Sequence, residues 1–244
     1  MKSIGSISLL HIIFLTMTFI GLKNHVTIIP SLINGAGRDA WISVLVAILL
    51  IIPWLLLPFF TLKKIKDESV RQYLLKRYPR FGKALIYVTV FYLILMAALT
   101  MHETLQWVST TFLINTPFLL LFFFFTFVCF LLATSSILTI TMVNVIVLFV
   151  VVVLGFFVAF VNIQVKDYSL LRPFLEHGFS PVFTSMLYPA SGFVEIYLLL
   201  FIQHHFKTKL KYRHLILILF LLLGLTMGPL IGAIAEFGPV EAAK

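Results

Sequence analysis

Phe19-Ile20-Gly21-Leu22-Lys23-Asn24-His25-Val26-Thr27-Ile28-Ile29-Pro30, continued by Ser31-Leu32-Ile33-Asn34-Gly35-Ala36-Gly37-Arg38-Asp39-Ala40-Trp41-Ile42-Ser43, decides how this chain is read. It lies inside an apolar run from about residue 6 to 33, long enough at about 1.5 Å per residue to cross a bilayer. Gly21, Lys23, Asn24 and His25 interrupt that run well before its end. An ammonium, an amide and an imidazole in hydrocarbon are each costly unless they face protein or a watery cavity. The economical reading is two half-helices joined by unwound backbone, an arrangement that membrane proteins tolerate where it lines a binding cavity.

Composition sets the class. The chain has 244 residues, of which 61% are hydrophobic and 11% charged, against about 45–50% and about 25% in soluble domains. This predicts an all-α polytopic membrane protein. The net charge of +9 does not point to nucleic acid, because 13 of the 18 Lys and Arg residues cluster at Lys2 and in two loops. That placement is the one that orients membrane proteins. The single cysteine, Cys129, sits in an apolar run and offers no disulfide framework or Cys-based metal site. Lys2 followed by an apolar stretch resembles a signal peptide, but no small-x-small cleavage site follows, so it reads as a retained first span.

Apolar windows give about seven spans, near 6–33, 40–60, 83–113, 118–133, 137–161, 182–206 and 214–235. The sixth is interrupted like the first, by Pro189, Ser191, Gly192 and Glu195. Basic loops follow the second and sixth spans: Lys63, Lys64, Lys66, Arg71, Lys76, Arg77, Arg80 and Lys83, then Lys207, Lys209, Lys211 and Arg213. With alternating spans both loops lie on the same side, which predicts a cytoplasmic N-terminus and places the 162–180 loop outside.

Interruptions in spans one and six, five spans apart, match transporters built from inverted five-helix repeats, the leucine-transporter-like fold. Gly37-Arg38-Asp39-Ala40-Trp41-Ile42-Ser43 further resembles the spore-germination permease family, the B subunits of nutrient germinant receptors. So do Asn115-Thr116-Pro117 and Leu171-Arg172-Pro173-Phe174-Leu175-Glu176-His177-Gly178-Phe179-Ser180-Pro181. Phe193-Val194-Glu195-Ile196 is similar to that family's Phe-Gly-Glu-Ile segment, with Val194 for glycine. The resemblance covers essentially the whole chain and implies membership of the amino-acid/polyamine/organocation permease superfamily.

Two departures stand out. Where the family usually has an acidic and a basic residue near the start of span five, this chain reads Ser136-Ile137-Leu138-Thr139-Ile140-Thr141-Met142. The family has about ten spans, so a chain ending after the seventh reads as a fragment or truncated product. The expected organisation is one membrane domain over 1–244, with a first five-helix repeat near 6–161 and a partial second near 182–244.

Three regions carry candidate chemistry. Gly21 permits unusual backbone angles, and a helix restarting beyond it would offer N–H groups to a substrate carboxylate near Asn24 and His25. The plainer alternative has Lys23 snorkelling to the cytoplasmic interface. Thr100, Glu103, Thr104, Trp107 and Thr111 share one helix face, either lining a polar cavity or standing at the outer interface with Trp107 as anchor. Tyr188, Ser191 or Gly192, and Glu195 share another face, and a carboxylate so deep protonates or finds a partner. Lys23 and His25 are the candidate partners; a purely structural bridge is the alternative. Gly224, Gly228 and Gly232 form a small-residue stripe suited to helix packing.

No metalloprotease, phosphate-loop or serine-nucleophile motif appears, and neither an enzyme nor a cofactor is expected. The resemblance implies a permease-like subunit that senses a small nutrient such as an amino acid in the spore inner membrane, with A and C receptor subunits as partners. A secondary amino-acid transporter coupled to protons or sodium, or a truncated structural subunit, are the alternatives.

Overall fold

The computed structural model describes residues 7–65 and 68–243. Lys66 and the residues before Ile7, Lys2 among them, used above for the first span and the basic clusters, lie outside the described residues.

Helix dominates, as the composition requires. The order is α1 (Leu9–Thr16), a π-helical stretch (Met17–Leu22), α2 (Lys23–Ala36), a 3-10 turn (Gly37–Asp39), α3 (Ala40–Trp54), α4 (Leu56–Ile65), α5 (Val70–Arg77), α6 (Pro79–Thr111), α7 (Phe118–Ala133) and α8 (Ile137–Val161). Two 3-10 turns follow (Asn162–Gln164, Tyr168–Leu171). Then come α9 (Phe179–Ser185), α10 (Leu187–Val194), a 3-10 turn (Glu195–Leu198), α11 (Leu199–Ile202), a last 3-10 turn (Gln203–His205) and α12 (Tyr212–Ala242).

Among the described residues, 5 helical stretches are long and apolar enough to cross a membrane. The first, Leu9–Ile65, is 57 residues long, nearly three times what one crossing of roughly 20 residues needs and ample for two. Gly37 divides it, at φ 57°, a conformation that glycine adopts without steric cost. With the shorter apolar α7, this accounts for the seven apolar segments of the sequence.

The chain forms two compact units, with the boundary at Ile140/Thr141 inside α8. In the unit holding residues 68–140, Ser69 caps α5 by accepting the Gln72 N–H at 3.2 Å. Pro79 then opens α6, where its missing N–H costs nothing. No residue of α7 is buried.

The unit holding residues 7–65 and 141–243 contains most of the core. Ile12, Leu32, Val44, Phe193, Leu219 and Leu222 are fully buried there. The α2 helix packs on α12 and α10, and α3 on α10 and α12. Two ends of α12 are tied to different loops. At its start, the Tyr212 hydroxyl donates to the Ile52 carbonyl at 2.8 Å. Close by in sequence, Ile7 exchanges backbone hydrogen bonds with His205 and Lys207 at 2.9 and 3.0 Å. Toward the other end, the Asp167 N–H donates to the Ala235 carbonyl at 2.8 Å, and Asn162 donates to the Glu236 carboxylate. The Ser169 hydroxyl and N–H hold the Asp167 carboxyl below its ordinary range.

The interruptions are present, but as changes of winding rather than unwound chain. The backbone passes from α1 through the π-helical stretch into α2 without leaving helical angles, Lys23 standing at φ −60°, ψ −50°. The expected restart beyond Gly21, with free N–H groups aimed at a carboxylate, is therefore absent. What Gly21 supplies is proximity: a Cβ there would stand 3.1 Å from Leu222 and closer still to Leu225 of α12. The second interruption is also a change of winding, in the opposite sense: where the π-helical stretch widens the helix, α10 tightens into the 3-10 turn at Glu195. The glycine stripe of α12 does not make the expected close packing. A Cβ at Gly224 or Gly228 would meet nothing within 4 Å among the described residues.

Candidate functional site

Both changes of winding deliver charge to one place. Lys23, the first residue of α2, pairs through its ammonium with the Glu195 carboxylate, the first residue of the 3-10 turn after α10. Their side chains are 15% and 4% exposed, so the pair is largely out of solvent. The Phe19 ring, one turn back, flanks the ammonium at 5.7 Å. Cation and ring attract through the ring quadrupole. In hydrocarbon or protein interior each charge alone would cost several kcal/mol, whereas the pair is neutral.

Asn24 follows directly and is completely buried. Its amide lies against the backbone of Gly192, where any Cβ would collide with Nδ2 and Oδ1. Neither amide atom has a hydrogen-bond partner among the described residues. The same holds for the Thr18 hydroxyl, His25 Nδ1 and the Ser43 hydroxyl. Buried polar groups in folded proteins are nearly always paired, so the Asn24 amide, next in the chain to Lys23 of the ion pair, makes this the candidate site.

The sequence-derived candidates divide accordingly. Gly21 packs on α12, while Asn24, Gly192 and Glu195 meet between α2 and α10. His25 is half-buried next to them in the chain. Ser191 is exposed, its hydroxyl donating to the Tyr188 carbonyl at 2.7 Å, and Tyr188 is itself 44% exposed. Thr100 and Glu103 belong to the other unit and are exposed on α6, where Thr104 donates to the Thr100 carbonyl at 2.7 Å. Among the described residues no three His, Cys, Asp or Glu side chains stand together as a metal site.

A second arrangement, not anticipated as such, joins the two stretches quoted for their resemblance. The buried Asp39 carboxylate accepts the Leu175 N–H at 2.8 Å. Arg38 pairs with Glu176 at 3.0 Å and donates to the Arg172 carbonyl. The Trp41 and Phe174 rings meet edge to face, 5.6 Å between centroids. A half-open cavity of about 380 Å³ adjoins this clamp, with Asn34, Gly37, Arg38, Glu176, His177 and Pro239 among its walls. The signal for the clamp was in the sequence: two polar, glycine-bearing loops in an apolar chain, each with charges of both signs.

Residues 5–232 match the spore permease family, described as spore germination protein. The chain belongs to that family. Among relatives of this spore permease, spore germination protein XB of Bacillus anthracis is 42% identical over 225 residues, covering 92% of this chain and 63% of that protein. Putative spore germination protein YfkT of Bacillus subtilis (strain 168) is 28% identical over 220 residues, 90% of this chain and 60% of that protein. The chain thus spans about three fifths of the length of these curated relatives. No solved structure matches it. Family and apolar helices together make it an integral membrane protein.

Proposed function

We propose that this spore permease is the nutrient-sensing, permease-like subunit of a germinant receptor, acting with A and C subunits in the spore inner membrane. Its ligand contacts centre on Lys23, Asn24, Gly192 and Glu195, between the two segments whose winding changes. The observation that carries this reading is the buried Lys23–Glu195 ion pair beside the unpaired Asn24 amide. A zwitterionic nutrient such as an amino acid presents an ammonium and a carboxylate together. It replaces each partner of the pair without leaving a buried charge alone, the outcome that costs about 3–5 kcal/mol. The Asn24 amide then supplies a donor and an acceptor of the sort that orient a small polar ligand.

The orientation expected from the basic loops belongs to this reading. Ile7 and the 205–207 backbone stand together near the start of α12, and the 162–171 loop stands near its far end. That arrangement suits a cytoplasmic N-terminus and an outer 162–180 loop. The inverted-repeat organisation, with a first repeat near 6–161 and a partial second near 182–244, belongs to it as well.

The test is the dose dependence of germination in spores carrying Glu195→Gln. The half-maximal nutrient concentration should rise by about tenfold or more, the worth of one charge-assisted contact, with normal amounts of the protein in the membrane. Unchanged dose dependence removes Glu195 from the site. Accumulation of labelled amino acid in proteoliposomes, driven by a proton or sodium gradient, would favour the transporter alternative.

A further inference from the structure

The corner between α5 and α6 carries charge that the nutrient site does not use. Arg71, Lys76, Arg77, Arg80 and Lys83 fall within thirteen consecutive residues and are all exposed. Glu68, the acidic neighbour among the described residues, pairs with Lys76 at 2.7 Å. The corner is also stiff. Tyr78 N–H donates to the Leu74 carbonyl at 2.8 Å, and Gly82 N–H to the Tyr78 carbonyl at 2.6 Å. A Cβ at Gly82 would stand 2.7 Å from the Leu74 oxygen, so only glycine lets α5 fold this closely onto the first turn of α6.

Tyr78 and Phe81 interleave with those cations and are 49% and 68% exposed. Immediately beyond them begins the apolar outer surface of α6, with Tyr87, Val88 and Phe91 all exposed. At 33 residues α6 is about 50 Å long, against a hydrocarbon layer of about 30 Å. Its first turn therefore stands in the headgroup region. Aromatic rings at that depth and cations just outside it are the two elements of an interfacial anchor.

We propose that the α5–α6 corner is a binding site for anionic phospholipid headgroups. Its cations engage headgroup phosphates, while Tyr78 and Phe81 rest at the acyl boundary. A soluble polyanion would have the charges in common but no use for the exposed rings at the edge of the apolar surface.

The test uses the purified full chain in detergent, exchanged into an equal mixture of phosphatidylglycerol and phosphatidylcholine, with retained lipid counted by native mass spectrometry. Surface cations each strengthen anionic-lipid binding severalfold, so retained phosphatidylglycerol should exceed phosphatidylcholine by about tenfold or more. High salt should erase the difference. Replacing Arg71, Lys76, Arg77, Arg80 and Lys83 together with glutamine should bring the ratio near parity. Exchanging Lys for Arg and Arg for Lys at the same positions should preserve it. Replacing Lys207, Lys209 and Lys211 with glutamine should leave most of it. Equal retention of both lipids by the unmodified chain overturns the proposal, as does a glutamine variant that keeps the preference. Tight binding of inorganic pyrophosphate without any lipid preference overturns it too. If the glutamine variant is not recovered folded, a photo-crosslinking residue at Phe81 reads the same point: capture of phosphatidylglycerol supports the site, and its absence rejects it.

Discussion

Asn24 and Gly192 show how much one hydrogen atom in place of a side chain decides. The amide fills the space where a Cβ would be, which lets α2 and α10 meet beside the Lys23–Glu195 pair. Gly192→Ala should push the two helices apart and cost about 1–3 kcal/mol, as overpacking does elsewhere. Thermal unfolding of the detergent-purified chain measures this, and an unchanged midpoint would sink the close-approach argument. Position 192 stood out as a candidate in the sequence because a glycine and a carboxylate interrupt an apolar run, and the structure shows the close approach there. Its neighbour Ser191 was equally visible there yet faces outward. Ser191 and Gly192 both lie in α10, ahead of the 3-10 turn at Glu195, and neighbours on an α-helix point about 100° apart, so Gly192 can meet α2 while Ser191 turns away.

Among elements, the two loops of the clamp differ in the worth of their contacts. Asp39 is buried and holds the Leu175 N–H, whereas Arg38 and Glu176 are partly exposed. Asp39→Ala should therefore cost about 1–3 kcal/mol by leaving that N–H without its partner. Glu176→Gln should cost at most about 1 kcal/mol, the range of solvent-accessible pairs. Unfolding midpoints of the two variants check the order, and reversal would mean the clamp rests on the arginine. The existence of helical segments was readable from apolar runs, since a bilayer forbids most alternatives. Their winding was not. Whether a polar stretch unwinds or shifts to a π turn depends on what packs against it. Here that is Leu222 and Leu225 of α12, some two hundred residues away in sequence. For the same reason the α12 glycine stripe promised a neighbour that Gly224 and Gly228 do not meet among the described residues, while Gly21 took that role unannounced.

At the scale of the whole molecule, charge placement sets the expected sidedness. In a Cys129→Ser background, a cysteine introduced between residues 166 and 176 should react with an impermeant thiol reagent from outside. One introduced between residues 68 and 80 should not. Reverse labelling would overturn the orientation while leaving the family and the helices untouched. Apolar windows made the membrane-spanning helices legible at this level, because membrane insertion reads local composition and needs no tertiary contact; the sidedness drawn from the basic loops is what the labelling decides.

The Lys23–Glu195 pair has one more consequence, for the effect of voltage. Moving a net elementary charge through a membrane field involves about 2.3 kcal/mol per 100 mV. Two opposite charges locked together sum to zero, and a guest zwitterion that takes their places sums to zero as well. Occupation of such a centre is electrically silent, so in the germination reading the polarisation of a dormant spore's membrane neither helps nor hinders the arrival of the signal.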